Sequence, residues 1–361
     1  MTRAVHARPP ARNKRAEVDL LLAAIEDAKQ TSSRRDALID FLRDEHPMYR
    51  DRGAIDVARL RGFVMRTFAD VGLPGDALPF VLEDLQSSVD AYAVAAAAQA
   101  LRGWMSPSLD VIPLLRQARE NIHGKDEFVS FASYDAVGDL ARGTTASAEI
   151  DATLKWLTAA AKPAAPVERQ ASTPSTCCCG SAKPAVVPKD DAIASAPQRR
   201  IADLEFEDQD ARRLTFAQML TGRPSAVTFF YTRCENPRKC SLTIQKLGRL
   251  QKGLAALSLS DRVRIAAITY DPLFDSAERL RAYASARGFE PNNHHRLLRT
   301  TGDMQPLQDY FSLGVNYVQS NVNRHRVELY VLDDHARIAE SFVRLEWDEE
   351  KVLGAVKTLI A

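Results

Sequence analysis

SAVTFFYTRCENPRKCSLTIQKLGRLQ, residues 225–251, is the stretch that decides the fold. Ala226–Tyr231 is a short run of apolar, β-branched and aromatic residues, which predicts a buried strand. Apolar residues recur at helical spacing after Ser241, a residue type that caps helices, so a helix is predicted to begin there. Cys234 and Cys240 lie between the strand and the helix. The sequence therefore predicts two thiols beside a helix N-terminus, at the carboxyl edge of a sheet.

Thiols in this position have a restricted chemistry. The helix dipole and free backbone N–H groups stabilise a thiolate, so at least one of the two cysteines is predicted to have a lowered pKa. A reactive thiol pair either exchanges disulfides or binds a soft metal ion. Two buried structural cysteines are the alternative, but the charged and polar residues between them predict an exposed loop. Both metal binding and redox exchange remain open at this point.

The elements that follow have an α/β order. Apolar runs predict further strands, and helical spacing predicts a helix that starts at Asp275 as its cap and a second one at the end of the chain. The predicted segments are the strands Val263–Thr269, Val327–Leu332 and Arg337–Val343 and the final helix Glu349–Ile360. The order strand, dithiol, helix, strand, helix, hairpin, helix is typical of a thioredoxin-like α/β domain.

From about Ile201 to its end, the chain resembles the Sco/SenC family of thioredoxin-like copper proteins. The matching segments keep the family's order and are Phe229–Cys234, Ile268–Ala284, Leu298–Tyr317 and His325–Ile338. In that family two cysteines and a histidine bind copper, and members assemble the binuclear copper centre of cytochrome oxidase or act as thiol–disulfide reductants. The resemblance implies that Cys234, Cys240 and His325 are copper ligands. Taken alone, without the cysteine pair and the resemblance, His325 is better interpreted as an exposed strand-edge histidine flanked by arginines.

The spacing of the two cysteines departs from the family pattern. The family has three residues between them, whereas this chain has five, with Pro237 stiffening the longer loop. Asp271 and Asp275 match the family's D-x-x-x-D and are expected to support the metal site from outside the ligand set. A turn before Pro272 and a helix cap are their alternative roles.

Residues 162–200 differ from the segments on either side. They are rich in Ala, Pro and Ser and lack apolar periodicity, which predicts an extended, disordered linker. Within the linker lie Cys177, Cys178 and Cys179. Three adjacent thiols could capture Cu(I) or Zn(II), exchange disulfides with the pair near residue 234, or be a compositional accident. They are candidate auxiliary thiols.

The first part of the chain has a third kind of sequence pattern. Residues 1–13 form a basic tail that is expected to be disordered, and residues 14–161 are predicted to be wholly helical. Ala77–Gln86 and Val111–Glu120 resemble each other at an offset of 34 residues, which predicts a HEAT-like repeat domain, with a nonrepeating bundle as the alternative. Phe128–Leu140 is predicted to be one of its helices. The expected role is to bind a protein partner or to present the second domain.

Composition excludes several classes of function. The chain has 48 basic and 47 acidic residues, which argues against nucleic acid as a partner. No apolar stretch is long enough for a membrane span or a signal peptide, so a cytoplasmic location is expected. Two functions remain. One is a metallochaperone that delivers copper to an acceptor protein such as a cytochrome oxidase copper site. The other is a thiol–disulfide oxidoreductase or redox-responsive enzyme that cycles Cys234 and Cys240 with a thiol partner.

Overall fold

A computed structural model of the protein describes residues 13–126, 128–130, 143–160 and 201–360. Residues 13–160 are called the helical part below, and residues 201–360 the C-terminal part. The predictions for the linker, including Cys177, Cys178 and Cys179, lie outside the described residues, as do those for nearly all of the basic tail.

The helical part is a packed set of short helices, as predicted for most of its length. Its α-helices are α1 Lys14–Gln30, α2 Ala54–Val71, α3 Leu78–Ser87, α4 Ala91–Ala100, α5 Ile112–Asn121 and α6 Ala146–Ala160. The 3₁₀ segments in the described residues of this part are Ser32–Leu42, Pro47–Tyr49, Gly75–Ala77, Leu101–Gly103 and Leu109–Val111. The alanine-rich α4 is buried almost completely, because its small side chains let α2 and α6 approach closely.

The two similar stretches of sequence have similar local structures. Helices α3 and α5 each follow a 3₁₀ turn and each carry a proline, Pro79 or Pro113, in the first turn. Proline fits there because the first N–H groups of a helix have no partner within it. The two helices also pack against each other. A HEAT-like arrangement of the whole part stays a prediction.

The prediction that residues 14–161 are wholly helical is wrong at one place. Phe128–Ser130 is a strand, β1, that pairs antiparallel with β2, Gly143–Thr145. Phenylalanine and valine favour extended backbone, and this preference prevails over the apolar spacing that suggested a helix at Phe128–Ser130. The rest of the predicted helix, 131–140, lies outside the described residues.

The C-terminal part contains a seven-stranded mixed sheet with strand order β11-β10-β5-β6-β7-β3-β4. The strands are β3 Glu205–Asp208, β4 Arg213–Thr215, β5 Ser225–Phe230, β6 Arg264–Thr269, β7 His295–Thr300, β10 Glu328–Leu332 and β11 Ile338–Val343. Strands β5, β6 and β7 are parallel, and the other neighbours are antiparallel. A separate two-stranded sheet joins β8, Val315–Val318, to β9, Asn321–His325.

Helices cover both faces of the large sheet. They are α7 Phe216–Leu220, α8 Leu242–Ala256, α9 Ala277–Ser285, α10 Gln305–Phe311 and α11 Glu349–Ile360. Residues of β5 alternate between two cores, with Ala226 and Phe230 packing beneath α8 and Val227 and Phe229 packing on the opposite face. A strand buried on both faces reads as a continuous apolar run, which is the pattern that predicted β5. The predicted α/β thioredoxin-like fold is confirmed.

Sequence patterns missed the strands that are polar or short, namely β3, β4, β7, β8 and β9. His295, which the sequence suggests is solvated in a polar loop, begins β7 and is buried. Burial lowers its pKa to about 4. Among the helices that the structure describes, none combines the length and apolarity needed to cross a membrane.

Candidate metal centre

Three separate elements bring the predicted ligands together. Cys234 follows β5, Cys240 lies in a turn of π-helix over Pro237–Ser241 that leads into α8, and His325 ends β9. The ligand atoms of these three residues all lie within 4.8 Å of one another. His325 Nε2 is 3.6 Å from the sulfur of Cys234 and 3.6 Å from that of Cys240.

The centre is largely enclosed. Cys240 is 1% exposed and His325 is 6% exposed, whereas Cys234 is half-buried. The rings of Tyr231 and Tyr270 pack around the imidazole, with centroids 5.3 Å and 5.6 Å from its own. His325 is therefore a buried residue of the site and not an exposed strand-edge histidine.

The orientation of His325 is fixed by its other ring nitrogen. Nδ1 lies 3.0 Å from the carbonyl oxygen of Arg326, which can only accept, so Nδ1 carries the proton and donates it. This leaves the lone pair of Nε2 directed at the two sulfur atoms. A metal-ligating histidine is commonly held in this way by a backbone carbonyl.

The two thiols differ in acidity. The hydrogen bond from Cys240 lowers the pKa of Cys234 to about 3, against the effect of burial, and the imidazole of His325 acts in the same direction. Burial, together with the neighbouring Cys234, holds the pKa of Cys240 well above its usual range. The prediction of one lowered cysteine pKa is confirmed; the neighbouring thiol and imidazole are the main causes, and the backbone N–H of Cys240 adds to them as predicted.

The five-residue spacing is accommodated by the π-helical turn. Lys239 has φ −109° and ψ −105°, so the chain kinks there before α8 begins. The side chain of Asn236 accepts from Arg238 N at 2.9 Å and caps this turn. The predicted N-cap role of Ser241 is wrong, because its backbone is already helical and its hydroxyl accepts instead from Arg287 Nε at 3.0 Å.

The two aspartates anchor the segment before Cys234. Asp275 is fully buried and accepts hydrogen bonds from the N–H and hydroxyl of Thr232 and, at 2.5 Å, from the hydroxyl of Thr269. Asp271 forms an ion pair with Arg233. These contacts fix the two residues that precede Cys234.

Asp275 is not the helix cap that the spacing suggested. The cap of α9 is Ser276, whose hydroxyl accepts from Arg279 N at 3.3 Å. A serine one residue later serves equally well, and its use leaves the carboxylate of Asp275 free to turn inward toward Thr232.

Two cations beside the ligands were missed by sequence reasoning. Lys239 is buried and not part of an exposed loop, and its Nζ donates to the carbonyl of His325 at 2.8 Å. Arg324, directly before His325, pairs with Asp44 of the helical part. Charged residues normally indicate surface, and only the packing of the helical part against this region buries them.

A cleft of about 470 Å³ opens above the centre. Tyr231, Cys234 and His325 of the C-terminal part line it. Val89 and Lys125 of the helical part line it as well. Both parts of the chain therefore border the path to the sulfur of Cys234.

Comparisons with known proteins concern the C-terminal part. Residues 194–361 match the family model described as SCO1/SenC. No curated protein is significantly similar to the chain. Similar solved structures include a SCO1/SenC family lipoprotein from Bacillus anthracis, at 21% identity over 45% of this chain and 96% of that one, with a TM-score of 0.39.

Two further similar structures were solved with copper bound. Bradyrhizobium japonicum ScoI is 20% identical over 43% of this chain and 96% of that one, with a TM-score of 0.34. Yeast Sco1 is 22% identical over 44% of this chain and 90% of that one, with a TM-score of 0.33. The likeness to the SCO1/SenC family therefore lies in residues 194–361, a little under half of the chain.

Proposed function

We propose that the protein binds one copper ion through Cys234, Cys240 and His325 and delivers it to an acceptor protein, such as a cytochrome oxidase copper site. The observation that carries the proposal is the convergence of two sulfur atoms and one imidazole nitrogen within 4.8 Å. Within the described residues, this is the cluster of Cys, His, Asp and Glu side chains able to share a metal ion.

The donor set fits copper. Thiolates are soft ligands that suit Cu(I), and imidazole is a borderline ligand that Cu(II) also accepts. Cys234 is already a thiolate at neutral pH, because its pKa is about 3, so it binds metal without releasing a proton. Cys240 must lose its proton when the metal arrives, so its raised pKa opposes loading at low pH.

The support around the ligands also suits a metal site. His325 presents Nε2 because Nδ1 donates to a carbonyl, and Asp271 and Asp275 hold the residues before Cys234. We propose that these two aspartates support the ligand loop without contacting the metal. A cytoplasmic location and a separate protein partner for the helical part stay predictions from the sequence.

A second function is favoured by the asymmetry of the two thiols. An accessible thiolate at Cys234 and a protonated thiol at Cys240 are the arrangement of an attacking and a resolving cysteine. Cys234 would attack a partner's disulfide and release one thiol. Cys240 would then attack the mixed disulfide, releasing the second thiol and leaving the pair oxidised.

Copper titration separates these functions. The full chain, with Cys177, Cys178 and Cys179 changed to serine, should bind one Cu(I). The additional double change Cys234→Ser, Cys240→Ser should abolish this binding, measured by competition with a chromophoric Cu(I) chelator. Unchanged affinity in that variant would show that the assignment of the ligands is wrong.

Substitution of the histidine distinguishes chaperone from oxidoreductase. His325→Ala should weaken copper binding by more than about 100-fold, because loss of a residue that only supports a ligand already costs about 10- to 100-fold in affinity. Dithiol exchange with a small disulfide should largely survive the same change. His335→Ala, in an exposed turn, is the matched control and should change neither property. Loss of exchange with unchanged copper affinity would favour the oxidoreductase.

A further inference from the structure

Each of the three ligands has a close neighbour in sequence that is bonded to the helical part. Asn236, two residues after Cys234, donates to Ser87 O at 2.5 Å. The residue before Cys240, Lys239, lies 3.5 Å from the carboxylate of Glu83. Arg324, before His325, reaches Asp44 at 2.5 Å and Asp84 at 3.2 Å. Ligand positions and the helical part are therefore directly connected.

The charged contacts form one buried group, here called the interdomain ion cluster. Its members are the carboxylates Asp44, Glu83 and Asp84 and the cation Arg61 from the helical part, and Lys239, Arg324 and Arg344 from the C-terminal part. Arg344 lies 2.8 Å from Asp44 and 3.1 Å from Glu83. All three carboxylates are buried, so the cations are their partners in place of water.

The two parts of the chain are complementary in charge at this cluster. The helical part contributes three carboxylates and one arginine, and the C-terminal part contributes three cations. Neither the helical part's set of side chains nor that of the C-terminal part is neutral by itself. Burying an uncompensated charge is strongly unfavourable, so the pairs form only in the docked register, and that register fixes where Lys239 and Arg324 lie.

The strand that carries His325 is anchored by these contacts. Strands β8 and β9 form their own two-stranded sheet and do not pair with a strand of the seven-stranded sheet that carries β5. Side chains alternate along a strand, so Arg324 faces away from His325. Asn323 adds hydrogen bonds of 2.8 Å to Tyr49 O and Arg52 O.

We propose that the helical part positions the copper ligands. Asp44, Glu83 and Asp84 are positioning residues that hold Arg324 and Lys239, and through them keep His325 and Cys240 beside Cys234. The copper readout of this proposal rests on the proposed function, whereas its hydrogen-exchange readout does not.

Arg324→Gln in the full chain, with the linker cysteines changed to serine, tests the proposal. Cu(I) affinity should fall about 10- to 100-fold, as for other outer-shell partners, and the thiolate-to-Cu(II) absorption band should shift because the ligands move. Amide hydrogen exchange in residues 315–326 of the metal-free protein should become faster.

The matched control is a substitution of an arginine that is equally exposed but lies outside the interdomain ion cluster. Arg324 and Arg296 are both 14% exposed, and Arg296 pairs with the fully buried Asp208 within the C-terminal part. Arg296→Gln should lower the thermal midpoint but leave copper affinity within twofold, the absorption band in place and exchange in residues 315–326 unchanged.

A second variant avoids leaving a buried carboxylate without its cation. Asn323→Ala removes two hydrogen bonds to the helical part and should still fold, with copper affinity reduced several-fold and faster exchange in the same segment. Wild-type affinity, band and exchange in folded Asn323→Ala and Arg324→Gln would overturn the proposal, as would an equal loss in Arg296→Gln. If the unaltered chain binds no copper but Arg324→Gln still speeds exchange, the proposed function fails and the positioning role stands.

Discussion

The half-buried thiol of Cys234 should react with an alkylating reagent at a rate that hardly depends on pH. An ordinary cysteine with a pKa of about 8.5 is about 0.3% thiolate at pH 6, and this fraction rises about tenfold for each pH unit. Cys234, with a pKa of about 3, is fully ionised from pH 5 to 8. Its rate constant should therefore change less than about twofold over that range, where an ordinary thiol changes by several hundred-fold.

The slope of the rate against pH is the diagnostic quantity, and the absolute rate is not. Intrinsic nucleophilicity falls as the pKa of the thiol falls, with a Brønsted coefficient of about 0.4–0.5. A thiolate whose pKa is lower by about 5.5 units is therefore about 10²- to 10³-fold less reactive. At pH 6 this loss nearly cancels the gain in ionised fraction. A slow reaction is therefore compatible with a strongly lowered pKa.

The assay uses metal-free, reduced full-length protein with the three linker cysteines changed to serine. Iodoacetamide is added at pH values between 5 and 8, and peptide mass spectrometry follows Cys234 and Cys240 separately. Cys240 is the internal control and should stay unmodified, because it is 1% exposed and its pKa is raised.

A substitution tests the cause of the lowered pKa. Cys240→Ala removes the hydrogen bond that lowers the pKa of Cys234 most, so the pKa should move toward its ordinary value and the rate should begin to rise with pH. A tenfold rise per pH unit for Cys234 in the unaltered protein would refute the reasoning.

Three further predictions follow from the same structure. Mild oxidation should join Cys234 and Cys240 in a disulfide, and bound Cu(I) should slow disulfide formation because metal-bound thiolates cannot exchange. Mass spectrometry after graded addition of oxidant measures the rate, and a rate independent of copper would contradict the prediction. Limited proteolysis should cut first within residues 162–200 and leave two resistant fragments, as gel electrophoresis would show; first cuts elsewhere would contradict it. Gly248→Ala should lower the free energy of unfolding in urea by about 1–3 kcal/mol, because the added Cβ would lie 2.3 Å from a backbone oxygen. Gly253→Ala, in the same helix with its nearest neighbour at 3.6 Å, is its control and should be neutral or stabilising by up to about 1 kcal/mol; an equal loss in both would contradict the steric argument.

The sequence was informative where a local pattern and the tertiary structure agree. Strand β5 is apolar throughout because it is buried on both faces, and the final helix has the same bounds, Glu349–Ile360, as its periodicity predicted. The two cysteines were located by their place between strand and helix. His325 was found only through the family resemblance, since nothing in the polar strand Asn321–His325 indicates a buried side chain.

The contacts between the two parts of the chain could not be predicted. The sequence pattern suggests surface charges on short amphipathic segments for Asp44, Glu83 and Asp84. Only tertiary packing buries these side chains. Local capping signals also gave the wrong residues. Ser241 is as suitable for a cap as Asn236, and Asp275 is as suitable as Ser276. Long-range contacts decide which residue of each pair caps the helix. Pairing over long sequence separations leaves no local pattern.

The cleft sets a limit on how copper can be exchanged. A volume of about 470 Å³ is the size of a small-molecule pocket, which is enough for a side chain or a small chelate. Cys234 is the most accessible of the three donors, His325 is buried but also lines the cleft, and Cys240 is buried. Under the proposed function, an incoming ligand therefore replaces Cys234 first, and the two buried donors are the last to release the ion. Under that function, transfer has a set order that begins at Cys234, and the acceptor's ligand has to enter the cleft to reach it.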